Sequence, residues 1–74
     1  MKGNQLFEEI CKLDQKIKDT EERISELEEH IEANVAARDW NMVKAFEERL
    51  NSNKALLNTQ YALLNSYADL YTDN

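Results

Sequence analysis

The sequence has no proline, and its one glycine, Gly3, stands near the start. Nothing after it breaks a helix or frees a hinge, so long helices are the expected elements. One cysteine, Cys11, excludes an internal disulfide, and one histidine, His30, excludes a histidine-based metal cluster. No apolar run approaches the roughly 20 residues that span a bilayer. Nine Lys and Arg against fifteen Asp and Glu leave a formal charge of -6. That balance argues against broad binding to nucleic acid or anionic lipid. The opening Met1-Lys2-Gly3-Asn4 leads straight into an amphipathic pattern. No secretory signal is therefore expected, and the cytoplasm is the default setting.

What the chain does have is a heptad. Ile10, Ile17, Ile24 and Ile31 are seven residues apart, and Leu6, Leu13, Thr20, Leu27 and Asn34 fill the complementary position. An apolar repeat averaging 3.5 residues keeps one seam of a helix against a partner helix. A second stripe, Val43, Leu50, Leu57, Leu64 and Tyr71, has the same period but is out of phase with the first. The phase break predicts a turn, and Asp39 suits the N-cap of a second helix. The expected fold is all-α: an antiparallel two-helix coiled-coil hairpin in one domain, residues 1–74. Its first helix covers about 4–36, the turn about 37–39 and the second helix about 40–71. Gly3 or Asn4 is a candidate cap for the first helix. The alternative is one unbroken helix in a long coiled coil.

Centring the turn between Arg38 and Asp39 sets a register. Ile31 then faces Phe46, Leu27 faces Leu50, Ile24 faces Asn53, Thr20 faces Leu57, Ile17 faces Gln60 and Leu13 faces Leu64. Every polar seam residue in this stretch meets an apolar one. Glu8–Lys12, Asp14–Lys18 and Asp19–Arg23 are expected as surface pairs at i,i+4. Trp40 is expected to fold over the end of the hairpin, beside Ile31 and Val35. His30 is expected as an ordinary exposed helix residue.

A chain of 74 residues buries little apolar surface alone. The second helix nevertheless carries Leu56, Leu57, Tyr61, Leu63, Leu64, Tyr67, Leu70 and Tyr71, a face too wide for one partner. Between Ala55 and Asn74 there is no lysine or arginine, and Phe7 and Cys11 widen the matching end of the first helix. These features predict a homodimer forming a four-helix bundle, or capture of a partner protein's helix. The expected protein interface is Phe7, Cys11, Leu56, Tyr61, Leu63, Tyr67 and Leu70.

Function follows as non-enzymatic protein binding by an adaptor, regulator or assembly component. No catalytic, cofactor or metal constellation is present; Glu29-His30 lacks the Glu-x-x-His spacing of bundle metal sites. A rival reading starts from residues 19–32, where Asp19, Glu21, Glu22, Glu26, Glu28, Glu29 and Glu32 oppose Arg23 alone. Glu22, Glu26 and Glu29 would there form an acidic docking face for an inhibitor or nucleic-acid mimic.

The stretch Ala37 to Leu50 places Arg38-Asp39-Trp40 before Val43 and the Glu48-Arg49 pair. It resembles the bend of small helical export chaperones of the flagellar type. It is also similar to secreted helical hairpins with Trp-x-Gly at the bend, where this chain reads Trp40-Asn41-Met42. Either resemblance implies protein–protein binding. The hairpin architecture is similar to that of small plasmid RNA-binding dimers too. Lys2, Lys12, Lys16 and Lys18 would be the basic residues there, but the net charge opposes that use.

Overall fold

The computed structural model describes residues 3–73, and within them there are two helices and no strand. Helix α1 is Gly3–Ala36 and helix α2 is Trp40–Asp73, and the two pack against each other as a hairpin. Each has 34 residues, or about 51 Å at 1.5 Å per residue. The molecule measures 54 × 15 × 12 Å, one helix long and two helices wide. Gly3 and Asn4 lie inside α1, so neither stands before it as a cap, and what precedes Gly3 lies outside the described residues.

The chain reverses without glycine. Arg38 takes the left-handed conformation, with φ at 57°. Its N–H donates to the Val35 carbonyl at 3.0 Å, and the Asp39 N–H reaches back to the Asn34 carbonyl at 2.9 Å. These are the two bonds of a Schellman motif, which satisfies carbonyls that the helix end leaves without partners. A glycine usually fills this position because it has no Cβ to crowd the following carbonyl. The next residue starts α2. Asp39 Oδ1 accepts from the Met42 N–H at 3.3 Å, which caps the new helix as its sequence position predicts. The single-helix alternative is therefore overturned at Arg38, where no glycine marks the stop.

The seam follows the heptad. Leu6, Leu13, Ile17 and Val43 are buried, and so are Thr20 and Gln60. Ile10, Ile24, Leu27, Ile31, Phe46, Leu50, Leu57, Leu64 and Tyr67 are half-buried at the remaining seam positions. The expected register holds to within one residue at three contacts between the helices. Arg23 Nε donates to Asn53 Oδ1 at 3.2 Å, the His30 and Phe46 rings stack at 5.1 Å, and the Phe7 and Tyr71 rings lie 6.4 Å apart. Tyr71, expected in the seam, is 47% exposed.

Most polar seam residues find local partners. The Thr20 hydroxyl donates to the Lys16 carbonyl at 2.9 Å and accepts from Arg23 Nη2 at 3.2 Å. Asn34 and Asn53 donate back to the carbonyls of His30 and Arg49. Gln60 Oε1 is buried with no partner.

Two expectations about charge and one about packing are corrected. Lys12 pairs with Glu9 at 3.6 Å rather than with Glu8, while Lys18–Asp14 forms at 3.2 Å. Arg23 turns inward to Thr20 and Asn53 instead of pairing with Asp19, which accepts from Gln15. Trp40 does not plug the hairpin: it is 61% exposed, and Val35 beside the turn is exposed as well. Trp40 lies seven residues before Glu47 and fourteen before Lys54. That places it on the flank of the seam.

Candidate protein-binding surface

The seam has two flanks, and they differ in chemistry. Arg23, His30 and Arg49 mark the first. Arg49 stands over the Phe46 ring at 5.6 Å, and His30 stacks on the same ring. Seven-residue spacing continues the Arg49 row of α2 through Leu56, Leu63 and Leu70. All three leucines are exposed, at 42%, 43% and 56%. The facing row of α1 is Glu9, Lys16, Arg23 and His30. This leucine flank therefore joins a straight aliphatic ridge on α2 to a mixed-charge row on α1. Near the turn it opens into a shallow groove of about 660 Å³, with Arg23, Glu26, His30, Phe46 and Arg49 among its lining.

The other flank is acidic and aromatic. Its α1 row is Phe7, Asp14, Glu21, Glu28 and Val35, and its α2 row is Trp40, Glu47, Lys54 and Tyr61. The Tyr61 hydroxyl donates to Glu21 Oε2 at 2.9 Å, which ties the helices together on this side. The bond raises the Tyr61 pKa above the ordinary tyrosine value, because losing the proton would break it and set a phenolate beside a carboxylate.

The structure thus divides the expected interface. Leu56, Leu63 and Leu70 share one flank, while Phe7 and Tyr61 share the opposite one. Tyr67 is half-buried and belongs to the seam. Cys11 is exposed on the outer side of α1, in the row of Lys18 and Ser25, and belongs to neither flank. The acidic residues Glu22, Glu26 and Glu29 are exposed and lie at i, i+4 and i+7 on the side of α1 turned from α2. Glu26 also reaches the rim of the groove.

Sequence spacing held the signal for this division. Leu56 and Leu63 stand just before the seam residues Leu57 and Leu64, and Tyr61 just after the seam residue Gln60, so the wide apolar face is two surfaces. No protein family, curated protein or solved structure matches the chain. Among the described residues no helix is long and apolar enough to cross a membrane, and no three His, Cys, Asp or Glu side chains could together hold a metal ion.

Proposed function

We propose that this chain is a non-enzymatic protein-binding module, an adaptor, regulator or assembly component, that acts by packing helices. A homodimeric four-helix bundle is the form it takes first. The observation that carries this reading is the exposed leucine row. Three leucines in heptad register on a rigid helix stand uncovered beside a seam in which only Leu6, Leu13, Ile17 and Val43 are buried apolar residues. Each leucine returned to an apolar setting contributes about 1.5–3 kcal/mol, scaled by the area it still exposes. A second helix pair on this ridge supplies the burial that one hairpin lacks.

Light scattering and small-angle X-ray scattering on one sample test the reading. The expected result is twice the chain mass of 8.7 kDa. Leu63→Glu combined with Leu70→Glu should give a monomer with a lower melting temperature. An unchanged mass and melting temperature in that variant would sink the proposal.

The acidic face supports a second reading, an inhibitor or nucleic-acid mimic for a basic partner. Its support is the exposed row Glu22, Glu26 and Glu29. Neutralising all three to Gln separates the readings. A mimic loses binding to its basic partner, whereas a helix-packing module keeps its assembly.

A further inference from the structure

We infer that copies of this hairpin pack unlike flank on unlike flank, the leucine flank of one lying along the acidic flank of the next, with like helices parallel and in step. The inference rests on the self-association proposed above and names the two surfaces that meet and their register.

Neither flank complements itself. In its two rows beside the seam the acidic flank carries Asp14, Glu21, Glu28 and Glu47 against Lys54. The leucine flank carries Lys16, Arg23 and Arg49 against Glu9. Like flanks laid together bring an excess of one sign to the contact, whereas unlike flanks attract. Among the described residues the ion pairs are Lys12–Glu9 and Lys18–Asp14, so Arg23, Arg49, Glu28 and Glu47 are left without an ionic partner there. All four are exposed. The two guanidinium groups are also held in place, Arg23 by Thr20 and Asn53 and Arg49 by the Phe46 ring.

Sequence spacing sets the register. On both helices each leucine-flank position follows an acidic-flank position by two residues, about 3 Å along the axis. A copy laid over another with like helices parallel therefore sets Lys16 beside the next copy's Asp14, Arg23 beside its Glu21 and His30 beside its Glu28. On α2 it sets Arg49 beside Glu47, Met42 beside Trp40, Leu63 beside Tyr61 and Leu70 beside Ala68. Glu9 comes to Phe7, and Leu56 to the stem of Lys54, so at this height no like charges meet between the facing rows. Five positions on, about 7.5 Å away, Lys16 and Arg23 each approach a second acid, Glu21 and Glu28, while Glu9 nears Asp14 and Arg49 nears Lys54. One row further out Asp19 meets Lys18 and Glu26 meets Ser25. The same contact covers Trp40, Met42, Tyr61, Leu63 and Leu70, all of them exposed in the single hairpin.

Turned end for end, the same flanks clash. The Arg23–Asn53 and His30–Phe46 contacts give the heights of the two helices. In the reversed copy the α1 row would lie on α2, with Glu9 beside Glu47 and Lys16 beside Lys54, and Leu63 would lie near Glu28. The in-step contact joins two different surfaces. Two copies make a four-helix bundle that still presents one acidic and one leucine flank, so further copies can add.

Two one-sided variants of the full chain test the pairing. Glu28→Lys with Glu47→Lys spoils the acidic flank alone, and Leu63→Glu with Leu70→Glu spoils the leucine flank alone. Circular dichroism should show both still helical. Light scattering should find each variant by itself at the chain mass of 8.7 kDa and an equal mixture of the two at twice that mass. The unmutated chain should pass from dimer to larger species as its concentration rises. Disulfide trapping reads the orientation, with Cys11→Ser in every chain. Mixed Leu70→Cys and Ala68→Cys chains should cross-link under mild oxidation, and mixed Leu70→Cys and Val35→Cys chains should not. If the Glu28→Lys, Glu47→Lys variant dimerises alone, or the mixture stays at the chain mass, the unlike pairing is overturned and self-association stands. Cross-linking of Leu70→Cys to Val35→Cys overturns the in-step orientation. An unmutated chain that is monomeric at every concentration overturns both proposals.

Discussion

The two halves of the hairpin are built on one heptad, yet they bury it differently. In the open half Leu6, Leu13, Ile17, Thr20 and Gln60 are buried, whereas in the closed half only Val43 is. Ile24, Leu27, Ile31, Phe46 and Leu50 occupy equivalent seam positions near the turn and remain half-exposed. The seam residues are similar in kind, so the difference lies in what flanks them. Beside the open seam stand Phe7, Leu56, Tyr61 and Leu63, large side chains that are themselves exposed. Beside the closed seam stand Glu28 and Glu47, which are exposed, with Arg23 bonded to Thr20 and Asn53, and His30 and Arg49 laid against the Phe46 ring. Two helices alone cannot enclose a seam, and burial follows the size of the neighbours. The better-buried half of the seam is also the half that carries the exposed leucine row.

The contrast predicts unequal costs for equal truncations. Leu13→Ala should destabilise by about 3 kcal/mol, within the usual range for buried leucine, and Leu27→Ala by about half as much. Chemical denaturation of the two variants checks this, and equal losses would mean that the flanks do not set burial. A smaller gain is expected at Gln60. Its Oε1 is buried without a partner, so Gln60→Leu should stabilise the open half by about 1–2 kcal/mol. A loss of stability there would show that the Gln60 amide makes a favourable bond in the folded protein.

At the closed end the strain is in the backbone. Arg38→Gly should raise stability by about 1 kcal/mol, since φ at 57° costs glycine little. A melting temperature that fell would place the loop's conformation elsewhere. The smallest effect concerns Tyr61. Its raised pKa means the Glu21 bond contributes fully below the ordinary tyrosine value of 10.0. That contribution is lost as pH rises through the folded-state value. In an ultraviolet or NMR titration Glu21→Gln should bring Tyr61 back down toward 10.0, and an unmoved titration would remove the bond from the acidic flank.

Much of this was legible in the chain. The stripes Ile10, Ile17, Ile24 and Ile31, and Val43, Leu50, Leu57 and Leu64, determine two amphipathic helices, because a 3.5-residue repeat has a buried side only when helices pair. The phase jump to Val43 and the cap at Asp39 locate the reversal, since side-chain capping is local chemistry that a sequence displays. Tertiary structure decided the rest. Arg38 in a glycine's place, the inward turn of Arg23 and the exposure of Trp40 depend on where the second helix lies when it returns. So does the division of Leu56, Leu63 and Leu70 from Phe7 and Tyr61. Heptad spacing states how far residues lie from a seam, but only the packed partner helix turns that distance into opposite sides of a molecule.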